Sequence, residues 1–339
     1  MKKVKVGIIG AGIGTVHARG LAKVSDAEIT AICDINEERA NRLANDFSVP
    51  HVITDYKDLM KMDEIDAVIV STPNSTHAEI AVAAFEAGKH VLCEKPLAMN
   101  AVEGARMVEA GKKSGKLFMM GFNNRFRGDS QLLKEFIQNG DLGEIYYAKT
   151  GWVRRSCCKF LSGWFTNKKL AGGGPLIDLG VHVLDLALWL MGNPKPVYVM
   201  GSTYSMLRAK RANEPGRIYD VEDLAAGFVK LENGATVMLE ASWESHIDKE
   251  KIYTQLMGTE GGAEFDPLRI YKDVRGTSVD IQPQFPNLSG HEMEIKHFIS
   301  CIKGETECIS TGEHGLHIMQ ILDALYKSAE TGKGVEIEQ

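Results

Sequence analysis

Residues 3–122 repeat one pattern, a short apolar and β-branched run followed by a stretch with helical spacing. The apolar runs are "KVKVGIIG" (3–10), "AEITAICD" (27–34), "DAVIVST" (66–72), "HVLCEKP" (90–96) and "KLFMMGF" (116–122). Between them lie "GTVHARGLAK", "NEERANRLANDF", "THAEIAVAAFEAG" and "NAVEGARMVEAGKKSG". Strands that are apolar almost throughout, rather than at every second residue, are covered on both faces. Alternation with helices then predicts a parallel, doubly wound sheet of the Rossmann type, with its ligand at the C-terminal ends of the strands.

The end of the first strand carries Gly10-Ala11-Gly12-Ile13-Gly14, directly before a helical stretch. Glycines there allow a tight turn and close approach of a pyrophosphate, which the helix N-terminus attracts. The third glycine falls one residue early against GxGxxG, where Thr15 stands, so a slightly shorter turn is expected. Asp34 closes the second strand about twenty residues on, the place of a carboxylate that binds the adenosine ribose hydroxyls. It would repel a 2′-phosphate, and Ile35 and Asn36 follow rather than Arg or Lys, so NAD is favoured over NADP.

After residue 122 the alternation stops. A helix "SQLLKEFIQNG" precedes a long strand "EIYYAKTGWVRR", and hairpins are expected at Asn233-Gly234 and at Gly261-Gly262. Two helices close the chain, at 291–303 and 312–330. The expectation is therefore α/β overall: a nucleotide-binding domain over 1–122, then an α+β domain over 123–339 with a largely antiparallel sheet.

A net charge of −6 argues against nucleic acid as a partner, and the basic run "RAKRANEPGR" (208–217) reads as a solvated loop. No apolar run is read as long enough to cross a membrane. The six cysteines, at 33, 93, 157, 158, 301 and 308, show neither CxxC pairs nor metal-ligand spacing with histidine. No metal and no disulfide framework are expected, and a reducing cytoplasm is the simpler setting.

Two features carry the chemistry. Lys95 ends a strand at the sheet edge where the nicotinamide of a bound cofactor arrives, and can donate to a reacting oxygen. The run "GGGPLIDLGVHVLDLALWLMG" (172–192) is nearly all apolar from Leu176 on, yet holds Asp178, His182 and Asp185. On a helix starting near Pro175 these fall at i, i+4 and i+7, one polar stripe on a buried helix. Such a stripe is either an internal hydrogen-bond network or a reactive site.

"EKP" (94–96), "TPNSTH" (72–77), the run at 172–192 and the glycine turn together resemble the Gfo/Idh/MocA family of NAD(P)-dependent oxidoreductases. "GFNNRF" (121–126), "VEDLA" (221–225) and "LDALYKSAETGKGVEI" extend the resemblance along the whole chain. It implies that Lys95, His182 and Asp178 are catalytic: His182 takes the hydroxyl proton, and Asp178 binds the substrate or orients the histidine. Asp185 is left as structural. It also implies that Gly10, Gly12, Ile13, Gly14, Asp34, Thr72, Pro73, Asn74, His77, Glu94 and Lys95 bind the cofactor, a core or capping role being the rival for His77. His17 is read as structural.

Gly172, Gly173 and Gly174 would let the backbone approach the substrate. Asn123, Arg125, Arg154, Trp164, Asp178 and His182 are the substrate candidates, with Trp152, Arg155, Phe165 and Asn124 beside them. Rings meet C–H faces and Arg or Asn meets hydroxyls, a mixture that suits a sugar. The expected activity is NAD-dependent oxidation of a secondary hydroxyl on a sugar, glycoside or cyclic polyol, weighted toward a glucoside ring. A redox-neutral glycosidase working by oxidation, elimination and reduction is the alternative. A non-catalytic NAD sensor would be expected to lack Lys95 or His182. The resemblance further implies a homo-oligomer formed through the C-terminal sheet.

Overall fold

The computed structural model describes residues 3–156, 163–206, 218–265 and 267–338. The basic run 208–217, Cys157 and Cys158 lie outside the described residues. The chain forms two compact units, Met1–Arg127 with Leu288–Leu316, and Gly128–Asn287 with His317–Gln339. By contacts the first unit runs five residues past 122, to Arg127, and also takes in a segment from far along the chain.

In the first unit the strands are β1 (Val4–Ile9), β2 (Ala27–Cys33), β3 (His51–Ile53), β4 (Ala67–Val70), β5 (His90–Glu94) and β6 (Phe118–Gly121). Helices α1 (Gly14–Leu21), α2 (Glu37–Phe47), α3 (Tyr56–Met60), α4 (His77–Glu86) and α5 (Ala101–Ser114) connect them. The six strands pair in the order β3-β2-β1-β4-β5-β6, all parallel. That order reverses direction between β1 and β4, the switch point where such sheets open a crevice for a ligand. β3 and α3 were not among the elements read from the sequence.

Helix starts are set locally. Asn36 accepts a hydrogen bond from Arg39 N at 2.9 Å and opens α2, with Glu37 and Glu38 in its first turn, where the helix dipole favours acids. The segment Leu288–Leu316 joins this unit because its helix supplies Ile295, Phe298 and Ile299 to the buried cluster built on Val6, Ile8 and Ile32. Gly20 of α1 makes room for it, since a Cβ there would lie 3.0 Å from Ile295.

The second unit begins with α6 (Gly128–Gln138) and β7 (Ile145–Val153), then a short α7 (Lys168–Ala171). A π-helical turn, Leu176–Gly180, runs straight into α8 (Val181–Leu190). Strands β8 (Pro196–Tyr204), β9 (Leu224–Leu231), β10 (Thr236–Ser242), β11 (Lys251–Gly258), β12 (Gly261–Glu264), β13 (Arg269–Val274) and β14 (Thr277–Ile281) follow. The chain ends with α9 (Gly290–Ile302, in the first unit), α10 (Gly312–Thr331) and β15 (Val335–Glu336).

The nine-stranded sheet has the order β14-β13-β12-β11-β7-β10-β9-β8-β15 and is antiparallel except for β7 beside β10. Leu325 of α10 presses on one face, where a Cβ at Gly201 or Gly227 would lie 2.7 or 2.5 Å from it. The Asn233-Gly234 turn joins β9 to β10 as expected, with Gly234 at φ +87°. The next hairpin turns at residues 259–260 instead, and Gly261 and Gly262 lie within β12.

Lys168–Leu190 is long and apolar enough to cross a membrane by length and composition, contrary to the sequence reading, but 89% of its apolar window is buried inside the protein. That apolar surface already has a partner.

Candidate active site

The turn after β1 is built by three glycines with three different reasons. Gly10 sits at φ +97°, and a Cβ there would lie 2.3 Å from Ser71 O. Only glycine fits. A Cβ at Gly14 would meet Ile8 at 2.8 Å, so this glycine lets α1 pack on β1. A Cβ at Gly12 would meet nothing within 4 Å. That leaves open space at the N-terminus of α1, where backbone N–H groups can meet an anion such as a phosphate. The helix begins at Gly14 itself, and Thr15 returns its hydroxyl to Ala11 O at 3.1 Å.

Asp34, 8% exposed at the end of β2, braces this turn: Oδ2 accepts from Ala11 N and Oδ1 from Asn36 N, both at 2.8 Å. Ile35 beside it is 94% exposed, an apolar surface next to the carboxylate that the sequence reading had not singled out. Ile13 is also exposed. Arg39 approaches Asp34 Oδ2 at 3.9 Å from the first turn of α2. Turn, carboxylate and apolar neighbour fit the pyrophosphate, ribose and adenine of NAD.

Ser71, after β4, ties the two strands at the switch point by donating to Ile9 O and Gly10 O at 2.9 and 2.8 Å. Thr72, Pro73 and Asn74 follow, and Thr76 Oγ1 donates to Thr72 Oγ1 and Pro73 O. His77 is turned into the interior. Its ring is fully buried, Nδ1 lies 2.8 Å from Pro96 O and Nε2 lies 3.0 Å from Thr72 O. It clamps the loop after β4 to the loop after β5, and burial lowers its pKa below the ordinary histidine value. Its place among the cofactor contacts is corrected to that of a positioning residue.

Lys95 follows the last residue of β5 and is the one part-exposed residue between Val91 and Ala98. Glu94 accepts from Lys95 N at 3.1 Å through Oε2, and pairs with the buried His17 Nε2 at 2.8 Å through Oε1. His17 thus has a specific partner behind the lysine. Arg125, read as a substrate contact, is 1% exposed: it donates to Ile309 O, lies 3.2 Å from His314 Nδ1 and stacks on Phe122. It is corrected to an internal anchor of the first unit. Asn123 and Asn124 are half-buried at the start of the same short helical turn.

In the second unit the polar stripe divides into part-exposed and interior members. Between Gly173 and Leu190, only Asp178 and His182 are not buried. Asp185, 1% exposed, belongs to the interior. Asp178 Oδ2 accepts from Trp243 Nε1 at 2.9 Å, and Trp243 is itself fully buried. The His182 ring lies 5.9 Å, centroid to centroid, from Trp152. Trp152 in turn carries the Arg154 guanidinium over its face at 4.9 Å. Glu250 Oε1 accepts from both, at 2.6 Å from Trp152 Nε1 and 3.1 Å from Arg154 Nε. Trp164 stacks on Phe165 at 4.0 Å, and both are half-buried.

Gly173 and Gly174 serve packing rather than substrate approach. A Cβ at Gly173 would lie 1.9 Å from Tyr326 Oη, and one at Gly174 would lie 2.1 Å from Glu222 O. Glu222, inside "VEDLA", also accepts from Gly174 N at 2.9 Å, Leu176 N at 3.2 Å and Tyr326 Oη at 2.9 Å. It holds the start of the π-helical turn, and burial raises its pKa in spite of those bonds. Its role, like Trp243's, was missed; the only sequence signal was an acid set among apolar residues.

Comparison with known proteins matches residues 4–122 to the family described as "Oxidoreductase family, NAD-binding Rossmann fold", and residues 134–337 to its C-terminal alpha/beta domain. A D-glucoside 3-dehydrogenase of Escherichia coli (strain K12) is 35% identical over 98% of this chain and 97% of its own length. A myo-inositol 2-dehydrogenase of Thermotoga maritima is 29% identical over 99% of both. Among solved structures, a levoglucosan dehydrogenase in complex with NADH superposes with a TM-score of 0.89 at 26% identity over the full length of both chains.

Proposed function

Because the chain belongs to the Gfo/Idh/MocA family of oxidoreductases, we propose that it oxidises a ring hydroxyl of a glucoside to a ketone. It is an NAD-dependent oxidoreductase acting on the CH–OH groups of sugar-type substrates. The observation that carries the finer reading is the exposure pattern of the helix 173–190. Two residues with acid–base chemistry face outward there, beside a tryptophan that carries an arginine on its ring. A sugar offers C–H faces to such a ring and hydroxyls to the arginine. The Escherichia coli relative supports the choice of a glucoside.

Oxidation removes a hydride from carbon and a proton from the hydroxyl oxygen. NAD, when bound, supplies the hydride acceptor. His182 receives the proton. Asp178, held by Trp243 Nε1, binds the substrate or orients the imidazole. Lys95 donates to the reacting oxygen and steadies developing negative charge. On the first unit, Gly12, Ile13 and Asp34, with Thr72, Pro73 and Asn74, hold the cofactor, while His77, His17 and Glu94 fix the loops that carry them. A cytoplasmic setting accords with the free thiols of Cys33, Cys93, Cys301 and Cys308.

The test is NADH absorbance with NAD and a panel of myo-inositol, glucose, alkyl glucosides and aryl glucosides, with released aglycone assayed in parallel. NADH should accumulate with the glucosides. Accumulation with myo-inositol alone would move the substrate to a cyclic polyol. Aglycone release without NADH would replace the dehydrogenase by the redox-neutral glycosidase.

A homo-oligomer through the sheet of the second unit is part of this proposal. Met200, Phe228 and Met238 are cross-strand neighbours in register on β8, β9 and β10, and are 50%, 37% and 36% exposed. A row of this kind on an open sheet face suits a second copy of the same face. Sedimentation velocity should show an oligomer that Phe228→Asp shifts to smaller species. A monomeric parent chain, or an unaltered distribution in the variant, would sink the idea.

A further inference from the structure

The first unit carries a second cluster of reactive side chains that sugar oxidation does not use. His297 and Cys301 stand four residues apart on α9 and so share a face, and Cys308 returns to them from the segment after the helix. Their donor atoms all lie within 4.8 Å of one another, and Cys301 Sγ is 3.3 Å from His297 Nε2. All three residues are half-buried, so solvent reaches them. The sequence expectation of no metal-ligand spacing between cysteine and histidine is thereby corrected. A four-residue step on a helix is such a spacing, and the third ligand is supplied by the turn of the chain.

Both supporting segments are fixed. Helix α9 is anchored by Ile295, Phe298 and Ile299 in the core of the first unit. The segment after Cys308 is tied to β6, since Met120 N donates to Ser310 O at 2.7 Å and Ser310 Oγ donates to Met120 O at 2.8 Å. Ile309 N donates to His297 Nε2 at 3.2 Å. A nitrogen that accepts a backbone N–H bears the lone pair, which is the tautomer a cation needs; the Ile309 bond is surrendered when the cation arrives.

We propose that His297, Cys301 and Cys308 form a three-ligand site for a thiophilic divalent cation, zinc, with solvent in the fourth position. Two thiolates and an imidazole are the donor set zinc prefers, and hard cations such as Mg²⁺ and Ca²⁺ select oxygen instead. Tetrahedral zinc with Zn–S of about 2.3 Å and Zn–N of about 2.0–2.1 Å spaces its ligand atoms about 3.5–3.8 Å apart. The 3.3 Å contact and the 4.8 Å limit bracket that spacing. The bound cation cross-links α9 to the segment that follows it and stabilises the first unit by mass action.

The full chain, stripped with a chelator and kept reduced by a phosphine, is titrated with zinc and, separately, with cadmium as a spectroscopic probe. One zinc per chain should survive gel filtration, the unfolding midpoint should rise with zinc, and cadmium should give a thiolate-to-metal charge-transfer band. The double variant Cys301→Ser/Cys308→Ser should lose all three effects. His297→Gln, which leaves both thiols, should weaken zinc retention and keep the cadmium band. Zinc lost by the parent chain on gel filtration, or retained equally by the double variant, overturns the site. So does cadmium binding without a charge-transfer band, which would place the metal on exposed histidines or carboxylates.

Discussion

Replacing His182 by alanine lowers kcat for glucoside oxidation by about 10²–10⁴-fold, the contribution of a positioned general base. At about 1.4 kcal/mol per tenfold, that is about 3–5 kcal/mol of transition-state stabilisation. The affinity for NAD, measured by titration of the full chain, stays unchanged, because the glycine turn, Asp34 and the loop after β4 all belong to the first unit. The loss is specific to the proton step, so added imidazole should restore part of the rate. Asp178→Asn separates the two roles open to Asp178, since the amide oxygen still accepts from Trp243. A raised KM with kcat retained marks a substrate contact, and a fall in kcat alone marks orientation of His182. Full turnover in His182→Ala would remove the histidine from the mechanism.

Much of this arrangement was legible because it rests on local chemistry. Buried parallel strands announce themselves as continuous apolar runs, and the Gly10–Gly14 turn is legible because two crowded positions, Gly10 and Gly14, and an open one, Gly12, fall within five residues. Asn233-Gly234 is a turn by its own conformational preference. What stayed hidden depends on partners distant in sequence. His51–Ile53 is three residues long, too short for any period to show. The core that α9 joins cannot be read from its own amphipathic face, because it depends on partners such as Val6, Ile8 and Ile32 and on the room at Gly20 beside Ile295.

The site divides in the same way. Asp178 and His182 were readable as polar residues on an apolar helix, but Trp243, which holds Asp178, lies 65 residues away. A glycine that admits a ligand and one that admits Tyr326 Oη look identical in sequence, so Gly173 and Gly174, expected to face the substrate, belong to packing. Arg125 and His77 sit in motifs that flank the site, yet their side chains turn inward to carbonyl oxygens. The sequence marks proximity to the chemistry. Side-chain direction is set by the fold.

Replacing Glu94 by glutamine should cost about 3 kcal/mol of stability at pH 7, and the cost should fade in acid. Glu94 is 8% exposed, and burial by itself pushes a carboxyl up. Against burial, the largest influence, stand the His17 hydrogen bond and the electrostatic interactions with His17, Lys95 and His291, and together they bring the group from 4.5 down to about 2. A folded-state pKa below the unfolded one means that folding favours the ionised form. The stabilisation is therefore fully present above pH 4.5 and is lost as pH falls toward 2. At about 1.4 kcal/mol per pKa unit, the interval corresponds to about 3 kcal/mol. His17 Nδ1 is buried with no hydrogen-bond partner among the described residues, a cost of about 1–3 kcal/mol that keeping Nε2 on Glu94 must offset. Because Glu94 Oε2 also accepts from Lys95 N, the same substitution should lower turnover by loosening the backbone under the lysine. Urea unfolding of both proteins from pH 7 to pH 3 isolates the effect, since other carboxylates cancel in the difference. A difference that does not shrink below pH 4.5 would show that the folded protein does not hold Glu94 ionised against burial.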